Sequence, residues 1–230
     1  MLKINNLVCG YGDLDIIHGV SFDIEDNQVK VLLSLNGGGK TTLLKSLSGL
    51  IRPREGTISL DGKDITNASP RERVKRGMLY IPEWGIFPNL SVRENLIIAS
   101  SNRENSTNYD INSAVSSFTE LKERMFEKAA SLSGGQRKIL MLAMAVASGS
   151  KLFLLDEPSS GLSPAFVDRV LDTIKQLKES GMTFLIAEQN SSFSEISDEI
   201  MILDLGKIIS RGKYKELRKI DEIRKKFFSL

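Results

Sequence analysis

The apolar run Val31-Leu32-Leu33 leads within a few residues to Asn36-Gly37-Gly38-Gly39-Lys40-Thr41-Thr42, after which leucines recur at three and four residues as Leu43, Leu44, Leu47 and Leu50. This succession reads as strand, glycine loop and helix, and it commits the chain to an α/β core. Glycines without a Cβ let successive backbone N–H groups curl around phosphate oxygens, and the start of the following helix offers unpaired N–H groups and a positive dipole end to the same anion. Lys40 adds a full positive charge for terminal phosphates, and the Thr41 hydroxyl is placed to coordinate a bridging magnesium. The pattern is that of the phosphate-binding loop of a nucleotide hydrolase, with Ser34-Leu35 where the usual loop begins with glycine. If position 34 requires a positive φ, serine there carries about 1–3 kcal/mol of strain and weakens nucleotide affinity without removing a phosphate ligand. Taken alone, the Gly-Lys-Thr string is also compatible with an ordinary glycine turn before a helix.

Two later segments narrow the reading. Leu152-Phe153-Leu154-Leu155 is a short continuous apolar run, as expected of a strand buried on both faces of a parallel sheet, and it ends in Asp156-Glu157-Pro158. Because neighbouring strand residues point oppositely, Asp156 is free to hold the magnesium shell while Glu157 faces a water attacking the terminal phosphate. Leu132-Ser133-Gly134-Gly135-Gln136 precedes the helical pattern Ile139, Leu140, Leu142, Ala143, Val146. A second glycine-rich helix start suggests a second surface for the same nucleotide, supplied by a partner subunit. Read separately, the first segment also fits a turn after a strand, and the second a serine-capped helix.

With these residues in place the chain resembles the ATP-binding subunits of ABC (ATP-binding cassette) transporters over nearly its whole length. Within that superfamily it is most similar to the shorter ATPase subunit of branched-chain (hydrophobic) amino acid importers. The resemblance rests on Tyr80-Ile81-Pro82-Glu83 followed by Phe87-Pro88-Asn89-Leu90, on Glu188-Gln189-Asn190 where most cassettes have a switch histidine, and on Gly161-Leu162-Ser163-Pro164. It implies a P-loop ATPase fold: a mainly parallel core sheet, an N-terminal antiparallel β region and an inserted helical lobe. It implies that Tyr11, between Gly10 and Gly12, stacks on adenine, and that Ser133, Gly134, Gly135 and Gln136 of one copy meet the terminal phosphate held by Lys40 of the other. The nucleotide-binding set thus comprises Tyr11, Ser34, Leu35, Asn36, Gly37, Gly38, Gly39, Lys40, Thr41 and Thr42, with Ser133 to Gln136 from the partner. Magnesium falls to Thr41, Asp156 and Glu83, which senses the metal or the attacking water; catalysis falls to Glu157, Lys40 and Gln189. Gln189 can hydrogen-bond a phosphate oxygen but cannot titrate as a histidine would.

Two departures stand out from that pattern. The segment Trp84-Gly85-Ile86 is one residue shorter than its usual counterpart and replaces an arginine pair, in the stretch that normally touches the membrane subunit. Its tryptophan reads either as an exposed anchor for a partner helix or as a half-buried core residue. Met144 stands where many cassettes have arginine, and reads simply as core packing.

The 230 residues suffice for a large core, and 41% hydrophobic with 26% charged is ordinary for a globular protein. A net charge of +2 gives no electrostatic reason to bind nucleic acid. The longest apolar run, Ile139 to Ala147, is far short of the ~20 residues that span a bilayer, and Met1 to Asn6 lacks a signal-peptide pattern. The expectation is a cytoplasmic protein held on the inner face of the membrane through permease subunits. One cysteine, Cys9, permits no internal disulfide, and the one histidine, His18, reads as a strand or turn residue.

The whole chain reads as one ATP-binding domain, with residues 1–90 and 150–230 forming the α/β core and 91–149 a helical lobe. Ser100 to Asn108 is read as a surface loop, and the lysine- and arginine-rich stretch Arg211 to Lys226 as a solvated helix face. The expected activity is ATP hydrolysis by one of a homo- or heterodimeric pair of ATPase subunits, with ATP and Mg2+ as cofactors, driving uptake of branched-chain or hydrophobic amino acids. Lipid or lipopolysaccharide export and a non-transport regulatory clamp are the alternatives; a small-molecule kinase, which has no use for Leu132 to Gln136, ranks last.

Overall fold

The computed structural model describes residues 1–101, 115, 118–220, 223, 225 and 227. Its centre is a six-stranded sheet: β3 (Val29–Leu33), β6 (Met78–Ile81), β7 (Leu152–Asp156), β8 (Thr183–Glu188), β9 (Glu199–Asp204) and β10 (Lys207–Gly212), ordered β10-β9-β3-β8-β7-β6. All neighbours pair in parallel except β10, which lies antiparallel on β9. A second, antiparallel sheet runs β2-β1-β4-β5, from β1 (Leu2–Tyr11), β2 (Leu14–Ile24), β4 (Glu55–Leu60) and β5 (Lys63–Asp64). The mainly parallel sheet and the N-terminal antiparallel region are those expected.

Strands buried on both faces explain the unbroken apolar runs. Val31 and Leu33 of β3, with Phe153 and Leu155 of β7, pack towards α5 (Gly134–Ser148) and α6 (Pro164–Glu179). Leu32, Leu152 and Leu154 face the other way, onto α1 (Lys40–Leu47) and the antiparallel sheet, where Leu43, Leu44 and Leu47 meet Leu2, Ile4 and Ile58. The first helix is therefore wedged between two sheets. It stops before Leu50, which is 58% exposed, because Gly49 turns left-handed at φ 84° and Ser48 caps the chain.

The end of α1 is closed from outside by Arg73 on α2 (Pro70–Lys75), a helix started by the reciprocal Ser69–Glu72 capping box. Fully buried, Arg73 donates to the Ser46 and Leu47 carbonyls at 3.0 and 2.6 Å and to those of Thr66 and Ala68 at 2.9 and 3.1 Å. Burial pulls its pKa down to about 10.

Between 91 and 149 the described elements are α3 (Val92–Ser100), α4 (Thr119–Lys122), the 3₁₀ turn Ala129–Ser131 and α5. Met144 is buried within α5 and Cys9 is buried and free, while His18 lies on β2. Ser100 ends α3, and residues 102–108 of the expected loop lie outside the described residues, as does part of the basic C-terminal stretch. Of the stretch expected as a helix face, Arg211 and Gly212 instead end edge strand β10, and α7 (Tyr214–Leu217) follows.

Candidate functional site

In the sheet order, β3 lies between β8 and β9, with β7 beyond β8, so the loops leaving the carboxyl ends of β3, β7 and β8 lie side by side. Ligands of open α/β sheets bind outside such ends. A cleft of about 360 Å³ opens there, lined by Tyr11, Ile16, Asn36, Gly37, Gly38, Gly39, Lys40, Thr41, Thr42 and Glu157. Residues from β1, from the glycine loop and from the end of β7 are thus brought to one place.

Gly37 and Gly39 take left-handed φ values of 81° and 104°, conformations that a side chain resists. At Gly38 the constraint is space instead: a Cβ would come within 1.9 Å of the Ser34 hydroxyl oxygen. Ser34 itself has no positive φ. The strain considered for serine at this position therefore does not arise; its buried hydroxyl donates to the Leu35 carbonyl at 3.1 Å.

Lys40 opens α1 with its ammonium almost wholly buried. It donates to the carbonyls of Ser34 and Leu35 at 3.0 and 3.3 Å and pairs with the Glu157 carboxylate at 3.1 Å. Thr41 donates its hydroxyl to Asp156 Oδ1 at 3.2 Å, and the Tyr80 hydroxyl donates to Asp156 Oδ2 at 2.9 Å. Burial raises the Asp156 pKa; the Thr41 and Tyr80 hydroxyls act against it. Burial and the neighbouring Asp156 carboxylate push the Tyr80 phenol up, keeping it a proton donor.

Strand alternation is not what sets Glu157 apart from Asp156. β7 ends at Asp156, and Glu157 leaves the strand at φ 46°, in the left-handed region. Its N–H donates to the Ala187 carbonyl at 2.9 Å, and its carbonyl accepts from Lys138 at 3.1 Å.

Ser133, Gly134, Gly135 and Gln136 do not line this cleft. Ser133 caps α5: its hydroxyl accepts the Gln136 N–H at 3.3 Å while Gln136 Oε1 accepts the Ser133 N–H at 3.0 Å. Gly135 is demanded by packing, since a Cβ would run into the Phe166 ring at 2.0 Å. Glu83 also lies outside the cleft, in the segment after β6 that carries the 73% exposed Trp84. Gln189 is exposed just past β8. Its neighbour Glu188 is buried, accepting the Ser159 N–H at 2.7 Å and those of Gln189 and Asn190 at 3.0 and 3.1 Å; burial raises its pKa against those donors.

Sequence alone assigns no role to Tyr80, Lys138, Glu188 or Arg73. Tyr80 carried a usable signal, because a tyrosine inside a buried strand needs a partner for its hydroxyl. The other three find theirs in backbone carbonyls and N–H groups, some adjacent in the chain and some distant, which no side-chain pattern announces.

The family model described as ABC transporter matches residues 17–160. This chain belongs to the ABC transporter family. It is an ATP-binding cassette ATPase of that family. It is 37% identical, over 98% of its length and 97% of the relative's, to the protein named "Probable branched-chain amino acid transport ATP-binding protein LivF" of Archaeoglobus fulgidus. It is 30% identical to the high-affinity branched-chain amino acid transport ATP-binding protein BraG of Pseudomonas aeruginosa, with 91% of each chain covered. A crystal structure of the ADP conformation of an ATP-binding cassette of an ABC transporter superposes with a TM-score of 0.87 at 25% identity, covering 100% of this chain and 99% of the other.

Proposed function

We propose that the cassette binds magnesium ATP in the Tyr11–Lys40 cleft and hydrolyses it as one of a pair of ATPase subunits, driving permeases that import branched-chain or hydrophobic amino acids. The observation that carries this reading is the juxtaposition of Lys40 and Thr41, which follow β3, with Asp156 and Glu157 at the carboxyl end of β7, one strand beyond β8. The LivF- and BraG-named relatives support the cargo class.

In this reading Tyr11, half exposed at the cleft, stacks on the base, and the glycine loop with Lys40 receives the phosphates. Thr41 and Asp156 present two hard oxygens side by side, the donor set suited to a magnesium ion that keeps several waters and shares the nucleotide's phosphates. Magnesium would neutralise charge developing between the outer phosphates. Glu157, released from Lys40 when phosphate takes its place, orients and deprotonates the attacking water. Glu83 senses the metal or the attacking water, and Gln189 hydrogen-bonds a phosphate oxygen.

The Ser133–Gln136 helix start serves the partner's nucleotide rather than its own. Ser133 and Gly134 are exposed, and none of Ser133 to Gln136 lines the cleft of its own chain. Trp84 to Leu90 is the permease contact. Among the described residues no helix is long and apolar enough to cross a membrane, so the membrane is reached through those permeases. A relative named as a lipopolysaccharide export ATP-binding protein, LptB of Haemophilus influenzae, is 30% identical over 98% of the chain, which keeps export as the second reading.

The test couples chemistry to cargo. Purified protein is assayed for magnesium-dependent hydrolysis beside Glu157→Gln, with ATP-dependent pairing followed by light scattering, and then reconstituted with its permeases in vesicles supplied with labelled leucine. Hydrolysis lost in the variant while it pairs on ATP, and leucine uptake by wild type, are the expected results. ATP binding with neither hydrolysis nor pairing would turn the assignment to a regulatory clamp, and hydrolysis without uptake of any apolar amino acid would overturn the cargo.

A further inference from the structure

Lys138 lies one turn into α5, between Gly134 and Met141 on the same face, and only 5% of it is exposed. A buried ammonium has to spend its three N–H groups on acceptors. One goes to the Glu83 carbonyl at 2.8 Å and one to the Glu157 carbonyl at 3.1 Å. On the outer side the same nitrogen lies 5.8 Å from the centre of the Trp84 ring, in reach of a cation–π contact. Glu83 and Trp84 follow β6, and Glu157 follows β7, so a single side chain clasps the two loops that leave adjacent parallel strands.

The clasp closes on a strained residue. Glu157 holds a left-handed φ of 46°, which costs a non-glycine residue about 1–3 kcal/mol unless its surroundings enforce it. Its N–H is fixed by Ala187 on β8, its carboxylate is engaged by Lys40, and its carbonyl is held by Lys138. Of these, only Lys138 also reaches the segment bearing the exposed Trp84 and Phe87.

We propose that Lys138 is a positioning residue that ties the Glu157 main chain to the Trp84 segment, so that occupancy of the nucleotide cleft and displacement of that segment are transmitted to each other through this one side chain. The inference rests on the ATPase reading above. It adds a route: when phosphate displaces the Glu157 carboxylate from Lys40, the Glu157 carbonyl moves, Lys138 follows, and the Glu83–Trp84 backbone is drawn with it. In reverse, a partner seated on Trp84 sets how firmly Glu157 is held for the water.

Trp84 is the sole tryptophan of the chain, so its emission reports on this segment alone. The full-length protein is titrated with magnesium and a non-hydrolysable ATP analogue, binding being measured by calorimetry and the segment by Trp84 fluorescence. Wild type is expected to bind and to change its emission. In Lys138→Met the analogue still binds within about threefold while the emission change is lost. In steady-state assays kcat falls about tenfold to a hundredfold with KM nearly unchanged, as expected of a misplaced rather than missing catalytic group. Lys138→Gln, which keeps a polar side chain without the ammonium, replaces Met if that variant melts early. An undiminished emission change in either variant, or wild type binding with no change at all, overturns the inference. Failure of wild type to bind the analogue instead overturns the ATPase reading, and this inference with it.

Discussion

The Lys40 ammonium and the Glu157 carboxylate are paired at 3.1 Å inside the glycine-loop cleft, so the group expected to grip phosphate and the group expected to activate water engage each other. On the proposed reading, a phosphate bound at Lys40 competes with Glu157 for the same ammonium. On that reading the exchange that seats the nucleotide would free the carboxylate for the water.

Glu157→Gln removes the pair and the local negative charge together. With Glu157 about a quarter exposed, the ion pair is a partly screened one, worth about 0.2–1 kcal/mol, so the variant should bind ATP slightly tighter, by about 1.4-fold to fivefold. Loss of the general base should lower kcat by about 10²–10⁴. Single-turnover hydrolysis beside a binding isotherm checks both, and weaker ATP binding by the variant would refute the displacement argument.

Ser34→Gly should leave ATP affinity within about threefold, because Ser34 has no left-handed φ to relieve and its phosphate-facing neighbours are unchanged. It should lower stability by about 0.5–1 kcal/mol through the flexibility glycine adds to the unfolded chain and the loss of a buried hydroxyl bond. Calorimetric titration with urea unfolding of the same preparation separates the two effects. A large gain in affinity would mean that serine strains the loop after all.

Asp156 makes a pH-dependent prediction. Its folded pKa is raised by burial above the value of about 3.9 it has in an unfolded chain. A raised pKa contributes stability below the unfolded value and loses it as pH climbs through the folded one. At pH 7, without magnesium, the ionised carboxylate is therefore a cost, and Asp156→Asn should melt higher than wild type. That advantage should shrink as pH falls back towards 4, and magnesium ATP should stabilise wild type alone. Melting curves at both pH values decide it; an equal offset at both would show that titration of Asp156 is not the cause.

Arg73→Met should destabilise the fold by about 3 kcal/mol or more, since it strips charged donors from four backbone carbonyls, two of them at the end of α1. Arg73→Lys should recover only part, because an ammonium cannot reproduce the planar fork. Equilibrium urea unfolding gives the ranking wild type, Lys, Met; a Met variant as stable as wild type would show that water replaces the guanidinium.

What the sequence determined by itself is what local chemistry enforces. Gly37 and Gly39 are needed because their φ values exclude side chains, and the runs Val31–Leu33 and Leu152–Leu155 are apolar because both faces of their strands are covered. Those two facts are sufficient to read strand, loop, helix and a buried parallel sheet, and to bring Lys40 and Asp156 into one proposal. Only the tertiary structure decided that α1 ends before Leu50, that Lys207 to Gly212 forms an edge strand, and that Ser34 is unstrained. It alone places Tyr80 on Asp156, Arg73 on the end of α1, and Lys138 between Glu83 and Glu157. These contacts join residues far apart in the chain through backbone carbonyls and carboxylates, and a carbonyl is the same at every position of a sequence. Which of them a side chain meets is set by how strands order and helices dock, not by any spacing along the chain.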